Sequence, residues 1–280
     1  MDDTSEQQSD VSWFHTSRVY SATWAARDDA GTTAVRRPSW RTVIPPAHEC
    51  LFQDTHRLIP SKYSPKGSVL GELSENDRQL RELIELDGAT NTRLLGEEGL
   101  LPDISVHELL YGVAYSEIVN AAFTHAAPDG GRFNSGSRGA WYSALEQETS
   151  IAEVAFHKIE QLREVAWKFE ETSTYDDYLA DFAASFHDLR GKSSGLRKYL
   201  KPNPVPQCYR DSQKLAVDLM KGGSNGIVYP SVRRDGGKCV VCFRPALVYH
   251  VRRAVRLELR LKAKGGPSSV RVREVEIPTL

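Results

Sequence analysis

The stretch GGRFNSGSRGAWYSALEQETSIAEVAFH, residues Gly130–His157, combines three local patterns. It opens with glycines and other small residues, which are typical of a turn whose backbone can approach a ligand closely. The aromatic run Ala140-Trp141-Tyr142 then indicates a strand. From Thr149 to His157, Ala, Ile and Val recur with helical period. A turn, a strand and a helix in this order predict a domain that mixes both kinds of secondary structure.

Each of these three patterns carries one polar side chain suited to chemistry. Arg132, Tyr142 and Glu153 follow one another at intervals of 10 (142−132) and 11 (153−142) residues. A carboxylate among the apolar residues of a helix is costly unless a cation or a hydrogen-bond donor meets it. If the fold returns Arg132 and Tyr142 to Glu153, the three side chains form a cleft suited to an anionic sugar nucleotide.

Two further segments belong with this stretch. One is RLIPSKY at Arg57–Tyr63, which begins with an arginine at a predicted strand, and the other is GIVYPSVRRDGG at Gly226–Gly237, which contains a Pro-Ser turn. Taken in order with the central stretch, they resemble the RES-domain family, which is named for its Arg, Glu and Ser. The resemblance runs from about Leu51 to about Pro245 and does not cover Met1 to about Glu49.

The resemblance implies a fold akin to the ADP-ribosyltransferase toxins. We therefore expect a single α+β domain with a mixed or antiparallel central sheet flanked by helices. It also implies an enzyme that cleaves the nicotinamide–ribose bond of NAD by phosphorolysis or hydrolysis. Such a protein would be the toxin of a toxin–antitoxin pair and would have an antitoxin protein as its partner. NAD and inorganic phosphate would be the small-molecule partners, and we expect no metal or other cofactor.

The chemistry of that reaction assigns a role to each matching residue. Nicotinamide leaves as a neutral molecule, so the barrier is the positive charge that grows on the ribose, as in glycosidases. We expect Glu153 to oppose that charge, while the guanidinium groups of Arg57 and Arg132 hold the phosphates. Tyr142 would frame the sugar or the nicotinamide, and Ser231 would face the cleft from the end of a strand. The expected catalytic residues are thus Glu153, Tyr142, Arg132, Arg57 and Ser231, and the substrate-binding residues are Arg57, Arg132, Tyr142, Lys62 and Asn134.

Other interpretations of the same residues stay open at this point. Glu153 can point to solvent, Arg57 can form a structural salt bridge, and Tyr142 can belong to the core. An ADP-ribosyltransferase with a macromolecular target is an alternative, and it usually has a second acidic residue shortly before the catalytic Glu. Glu146 and Glu148 lie seven (153−146) and five (153−148) residues ahead of Glu153. An inert binding module is the third interpretation, although the joint presence of the five candidate residues argues against it.

Composition sets broad limits on the protein class. The chain has 280 residues, 40% of them hydrophobic and 26% charged, which is ordinary for a globular protein. Its net charge of −1 gives no general attraction to nucleic acid or to an anionic membrane, so neither is expected as a partner. No window approaches the roughly 18 apolar residues of a membrane span, and the polar start MDDTSEQQSD predicts a cytoplasmic protein. A homo-oligomer is compatible with these data.

The pair Cys239 and Cys242 has the C-x-x-C spacing of many metal and redox sites. It lies, however, within an apolar, β-branched run that predicts a buried strand. Residues i and i+3 of a strand point to opposite faces, so we expect two core thiols that do not share a metal.

The chain divides by composition into three parts. Residues 1–10 are predicted from their composition to be disordered, and residues 11–49 are expected to form an extension that packs on the core or on a partner. Residues 50–280 are expected to form the RES-like, NAD-binding catalytic domain. The extension is expected to pack because it contains four large aromatic residues, namely Trp13, Phe14, Trp24 and Trp40.

Local signals predict the remaining elements. Capping boxes predict a helix from Ser74 to Gly88 and a longer one from Ser105 that stops before Pro128. Residues 162–170 are expected to be extended, and residues 175–189 fit either a helix or a strand, with the family resemblance favouring the strand. A helix is predicted at 212–221, and strands are predicted at 51–59, 227–229, 239–243, 251–264 and 270–277.

Overall fold

A mixed sheet of seven strands forms the centre of the structure. The computed structural model describes residues 43–63, 91–99, 101, 103–191, 193–262 and 269–277. The strands are β1 (Ala47–Pro60), β2 (Trp141–Ala144), β3 (Glu170–Asp188), β4 (Gly226–Pro230), β5 (Lys238–Cys242), β6 (Tyr249–Lys262) and β7 (Ser269–Val275). Their order in the sheet is β1-β2-β5-β4-β3-β6-β7. The β3–β4 pair is parallel and the other pairs are antiparallel. The prediction of an α+β fold with a mixed sheet is confirmed.

The described helices lie between these strands. They are α1 (Thr92–Glu97), α2 (Ser116–Thr124), α3 (Gln147–Glu164) and α4 (Arg210–Lys221). Short 3₁₀ turns occur at Ser61–Tyr63, Val106–Glu108, Ser194–Leu200, Gln207–Tyr209 and Pro245–Leu247. Among the helices that the structure describes, none is both long enough and apolar enough to cross a membrane.

The long strand β3 organises the sheet. One edge pairs with β1, and the other pairs first with β6 and then, at His187 and Asp188, with β4. Because β1 pairs with both β2 and β3, the five strands β1, β2, β5, β4 and β3 form a closed ring of pairings. Strands β6 and β7 extend the sheet from β3. A single residue pair, His56 with Ala144, joins β1 to β2.

In the described part of the chain, the apolar core consists of three clusters that follow the alternation of the strands. Trp141, Tyr178 and Phe182 belong to the first cluster, and Phe133 and Tyr229 belong to the second. The third cluster packs the inner face of α3 against β1 and β6, and its members are Leu58, Ala155, Ile159, Leu162, Tyr175, Leu257, Leu259 and Leu261. This packing fixes the rotation of α3, and with it the direction in which the polar residues of the helix point.

The two cysteines of β5 lie in different clusters. Cys242 packs in the first cluster and Cys239 in the second. The prediction that these thiols face opposite sides of a strand is confirmed.

The predicted helix from Ser105 to Pro128 is wrong in its middle. The capping box of Ser105 and Glu108 is present, but it supports only the 3₁₀ turn Val106–Glu108. The chain then extends, because the side chain of Asn120 bonds both the N–H and the carbonyl of Leu110. Tyr115 has a φ of 61°, in the left-handed region, and α2 begins only after it.

The extended segment predicted at residues 162–170 is also wrong. Helix α3 continues to Glu164, and β3 begins at Glu170. Leu162 is the residue that extends the helix, because its side chain is buried with Ile159 in the third cluster.

The ambiguous stretch 175–189 is a strand, as the family resemblance indicated, and it forms most of β3. The predicted strands at 227–229 and 239–243 form the β4–β5 hairpin, and the predicted helix at 212–221 is α4. One arginine of the polar face of β6 does not lie in solvent. Arg256 is buried, and its Nε and Nη2 donate to Asp176 over 2.5 and 2.9 Å.

Several predictions fall on residues outside the described ranges. These are the disordered tail at 1–10, the aromatic residues of the extension and the helix from Ser74 to Gly88. The described end of the extension, residues 43–49, includes the first three residues of β1. Its backbone carbonyls at Val43, Pro45 and Pro46 accept hydrogen bonds from Tyr199, His187 and Asp188.

Candidate active site

Glu153 and Ser231 meet between α3 and the end of β4. The Ser231 hydroxyl donates to Glu153 Oε1 over 2.6 Å. The hydroxyl oxygen of Ser231 accepts hydrogen bonds from the backbone N–H groups of Arg233 and Arg234 at 3.0 and 3.1 Å. Because both of these contacts occupy the lone pairs of Ser231, its one proton is directed at the carboxylate. A charge-assisted bond of this kind holds the Glu153 side chain in one orientation.

Two groups beside this carboxylate stay protonated at neutral pH. The Cys239 thiol lies 3.9 Å from Glu153 Oε1, and burial together with the Glu153 charge raises its pKa. Burial likewise raises the pKa of the Tyr229 hydroxyl well above its usual value, and the charge of Glu153 adds to this effect. Glu153 therefore has no second anion in contact with it among these neighbours.

The turn that carries Ser231 is docked on the first turn of α3. Arg234 Nη1 donates to the Thr149 hydroxyl over 3.2 Å, and that hydroxyl donates to Glu146 Oε2 over 2.8 Å. Glu146 also accepts the backbone N–H of Lys238 at 3.1 Å. A side chain at Gly237 would meet Thr149 Oγ1 at 2.5 Å, so this close approach requires glycine. Glu146 is thus engaged in holding the hairpin.

Arg132 is a buried cation with backbone partners. Its Nη1 donates to the carbonyls of Lys201 and Tyr199 over 2.8 and 3.4 Å, and its guanidinium lies 4.9 Å from the ring centre of Tyr209. The residue is 7% exposed. It has no carboxylate partner among the described residues.

Tyr142 and Asn134 build the turn in which Arg132 lies. The Tyr142 hydroxyl donates to Asn134 Oδ1 and accepts the N–H of Phe133, both over 2.8 Å. The Asn134 amide donates to the carbonyls of Ser135 and Arg138 over 2.8 and 2.9 Å. Since both amide hydrogens of Asn134 are engaged, the structure gives this residue a structural role. Burial raises the pKa of Tyr142, so its hydroxyl stays neutral.

Arg57 approaches the same region from β1. Its Nη1 donates to the Tyr142 carbonyl over 2.9 Å, and its guanidinium lies 4.8 Å from the Trp141 ring centre. Its buried Nε has no hydrogen-bond partner in the described part of the chain. Burial lowers the pKa of Arg57 to about 10, so it is still a cation at neutral pH.

The structure thus joins six of the seven predicted residues into two linked groups. Glu153 bonds Ser231, while Arg57, Tyr142 and Asn134 are connected by hydrogen bonds in the turn of Arg132. Tyr229 lies near both groups, since burial and the charge of Glu153 raise its pKa and the charge of Arg132 lowers it. Lys62 is the exception. It lies in the exposed 3₁₀ turn after β1, where its ammonium contacts the ring of Tyr63.

Three residues that the sequence analysis did not single out complete the surroundings. The Arg233 guanidinium lies 3.4 Å from the ring centre of Phe156, one helical turn after Glu153 on α3. Partial burial and the cations Arg233 and Arg132 lower the pKa of His157 to about 4. Spacing could have indicated Phe156 and His157, because they follow Glu153 by three and four residues and share its helix face.

The arginines around this site lack the carboxylate partners that several arginines elsewhere in the described structure have. Arg138, Arg190 and Arg256 each have a carboxylate partner, at 2.8, 2.7 and 2.5 Å. Within the described ranges, no carboxylate pairs with Arg57, Arg132 or Arg233. A partly or fully buried cation without a counter-charge is costly, and an anionic ligand removes that cost.

A cleft of about 420 Å³ lies apart from these residues. Its walls include Glu108, Arg138, Met220 and Phe243, and none of the candidate residues lines it. Arg138 is paired with Glu108 there, at 2.8 Å, unlike the arginines around Glu153.

Comparison with known proteins gives a family for this arrangement. The model of the RES domain matches residues 109–262, which are 154 of the 280 residues. The chain belongs to the RES-domain family. Within the matched RES region lie Arg132, Tyr142, Glu153 and Ser231, whereas Arg57 and Lys62 precede it.

Two individual proteins are similar to this RES chain. The uncharacterized protein y4oC of Sinorhizobium fredii (strain NBRC 101917 / NGR234) is 25% identical over 189 residues, which cover 68% of this chain and 74% of that protein. A solved structure, described as the crystal structure of the M. tuberculosis MbcT–MbcA toxin–antitoxin complex, contains a chain with 11% identity and a TM-score of 0.37. That alignment covers 75% of this chain and 86% of the other.

Proposed function

We propose that this RES-domain protein cleaves the bond between nicotinamide and ribose in NAD, with phosphate or water as the acceptor. The observation that supports this most is the combination at one site of a fixed carboxylate, Glu153, and guanidinium groups without carboxylate partners. NAD presents both complementary features, since its ribose becomes positively charged during cleavage and its diphosphate is negatively charged.

In the proposed reaction the C1′–N bond of the ribose breaks, and its electron pair leaves with the nicotinamide nitrogen. An oxygen of phosphate or of water then bonds to C1′. Phosphate gives a phosphorylated ADP-ribose, and water gives ADP-ribose and a proton. Glu153 stabilises the positive charge that develops on the ribose between these two events, as carboxylates do in glycosidases.

The other residues have supporting roles in this proposal. Arg57 and Arg132 hold the diphosphate, and a guanidinium fork matches phosphate oxygens in geometry as well as in charge. Ser231 fixes the orientation of Glu153 through the 2.6 Å hydrogen bond. Tyr142 holds the turn of Arg132 and presents its ring beside the substrate. The structure provides no contact that supports a role for Lys62.

We further propose that the protein is the toxin of a toxin–antitoxin pair that acts on cytoplasmic NAD. This part rests on membership of the RES family, together with the removal of an essential cofactor that the proposed reaction causes. It predicts that expression of the chain lowers cellular NAD and stops growth, and that a partner protein covering the site prevents both effects. Growth arrest with unchanged NAD contradicts it.

Incubation of the purified protein with NAD, with and without phosphate, tests the proposed reaction. We expect free nicotinamide in amounts equal to the NAD consumed. Mass spectrometry of the second product then distinguishes phosphate from water as the acceptor. ADP-ribose attached to a macromolecule would instead indicate a transferase, for which Glu146 is poorly placed because Thr149 and Lys238 engage it. Unchanged NAD after prolonged incubation with folded protein contradicts the proposal.

A further inference from the structure

Arg233 is held in one orientation by three contacts. Its Nη2 donates to the Pro202 carbonyl over 2.7 Å, and its Nη1 contacts Asn203 Oδ1 at 3.4 Å. Its guanidinium plane lies against Phe156 with 3.4 Å between its central carbon and the ring centre. Its buried Nε has no hydrogen-bond partner in the described part of the chain. Arg233 is therefore a preorganised cation with a donor that the described residues do not use.

Arg132 and Arg233 lie close to each other. Arg132 donates to the carbonyl of Lys201 and Arg233 to that of Pro202. Both guanidinium groups act on Tyr209, since that of Arg132 lies 4.9 Å from its ring centre, and burial raises the pKa of Tyr209 while both cations lower it. The two charges also act together on His157, whose pKa they lower along with partial burial.

The position of Arg233 relative to the reacting groups follows from the chain. It is two residues after Ser231, and its own backbone N–H bonds the Ser231 hydroxyl that holds Glu153. Its aromatic support, Phe156, is one turn after Glu153 on α3. Arg233 thus lies between the pair of Glu153 and Ser231 and the guanidinium of Arg132.

We propose that Arg233 is a specificity-determining residue that contacts the diphosphate of a dinucleotide substrate together with Arg132. This inference rests on the proposed NAD cleavage and adds to it a preference for substrates with two linked phosphates. Two guanidinium groups without carboxylate partners match the two charges of a diphosphate, whereas a mononucleotide presents its phosphate to only one of them.

A purely structural role for Arg233 predicts a different outcome. In that case the residue only ties the Pro202–Asn203 segment to the hairpin, and its loss affects all ligands alike. Contact with the diphosphate instead predicts a selective loss for ligands with two phosphates. It also predicts a larger change in KM than in kcat, because a phosphate contact exists in both the ground state and the transition state.

The test measures binding of ADP-ribose and of nicotinamide mononucleotide to the full chain by calorimetry. The variants are Arg233→Met, which keeps an apolar stem on Phe156, and Arg233→Lys, which keeps the charge but loses the fork. Arg163→Met removes the same charge at the exposed end of α3 and is the matched control. Circular dichroism verifies the fold of each variant, and Arg233→Gln replaces Arg233→Met if the latter is unfolded.

We expect Arg233→Met to weaken ADP-ribose binding by about tenfold or more, as loss of a charge-assisted hydrogen bond does. Arg233→Lys should weaken ADP-ribose binding less. Arg163→Met should change ADP-ribose affinity little, and the Arg233 variants should change the affinity for nicotinamide mononucleotide little. Unchanged ADP-ribose affinity, or an equal loss for both ligands, overturns the inference. Failure of wild-type protein to bind ADP-ribose overturns it too. A wild-type protein that binds ADP-ribose through Arg233 yet leaves NAD intact overturns the proposed function alone.

Discussion

The carboxylate of Glu153 is partly buried, and neighbouring residues supply the hydrogen-bond donors that water would otherwise supply. Ser231 donates to it, and the backbone N–H groups that bind Ser231 orient that donor. The nearby thiol of Cys239 stays neutral because burial and the carboxylate raise its pKa. A charge fixed in this way opposes the developing charge of a substrate without first having to reorient.

Replacing this carboxylate with an amide tests that role. Glu153→Gln keeps the shape of the side chain and removes its charge, so we expect kcat for nicotinamide release to fall about a hundredfold or more. Glu164→Gln, at the exposed C-terminal end of α3, is the control with the same chemical change and should retain wild-type kcat. If Glu153→Gln releases nicotinamide at the wild-type rate, Glu153 is a structural residue.

The sequence could single out Arg132, Tyr142 and Glu153 as candidates, because their spacing and local patterns are contained within one short stretch. It could not identify Arg233, whose environment depends on the docking of the β4–β5 hairpin on α3. Asn134 shows a different limit. Its polarity made it a candidate for ligand contact, yet the turn engages both of its amide hydrogens, and such partners cannot be known before the backbone path is known.

At the scale of elements, the turn between Gly130 and Arg138 depends on a hydroxyl from β2. A side chain at Gly131 would come within 2.9 Å of the Tyr142 hydroxyl, so turn and strand are in close contact. Tyr142→Phe leaves the Phe133 N–H and Asn134 Oδ1 without this partner. We expect it to lower the free energy of unfolding by about 1–3 kcal/mol, the cost of unpaired buried polar groups.

Urea denaturation measures that loss, with Tyr63→Phe as the control because Tyr63 is 63% exposed. KM for NAD should rise in Tyr142→Phe as well, since Arg132 lies in the turn that the hydroxyl supports. Wild-type stability in Tyr142→Phe would show that the two hydrogen bonds of the hydroxyl do not stabilise this turn.

The elements differ in how far local sequence determines them. The β4–β5 hairpin and α4 have clear local signals at both ends and were predicted. The interruption between Val106–Glu108 and α2 was not predicted, because it depends on Asn120 binding the backbone of Leu110. In β3, alternation and helical period coexist, and pairing with β1 and β6 on opposite edges decides in favour of the strand.

At the scale of the whole molecule, residues 43–46 join the described domain through three backbone carbonyls. Two truncated chains separate this contribution from that of the preceding residues. A chain starting at Ala47 should be less stable than one starting at Thr42 by about 2–4 kcal/mol, at roughly 1 kcal/mol for each hydrogen bond. Denaturation of both chains measures the difference, and equal stability contradicts it.

Both truncated chains should still cleave NAD at the full-length rate per folded molecule, since every group assigned to the reaction follows residue 47. The full-length chain then reports on the aromatic extension, because its stability relative to the Thr42 chain measures whether Trp13, Phe14, Trp24 and Trp40 are buried. A folded Ala47 chain without NAD cleavage would show that the N-terminal residues complete the site.

The hydrogen bond between Ser231 and Glu153 spans 78 residues of sequence, which has a consequence for biosynthesis. A ribosome releases the helix with the carboxylate well before it releases the serine, which lies in the hairpin that pairs with β3. A nascent chain therefore has no complete site during most of its translation. Premature stop codons anywhere before residue 231 yield a product that lacks the hydrogen bond between Ser231 and Glu153.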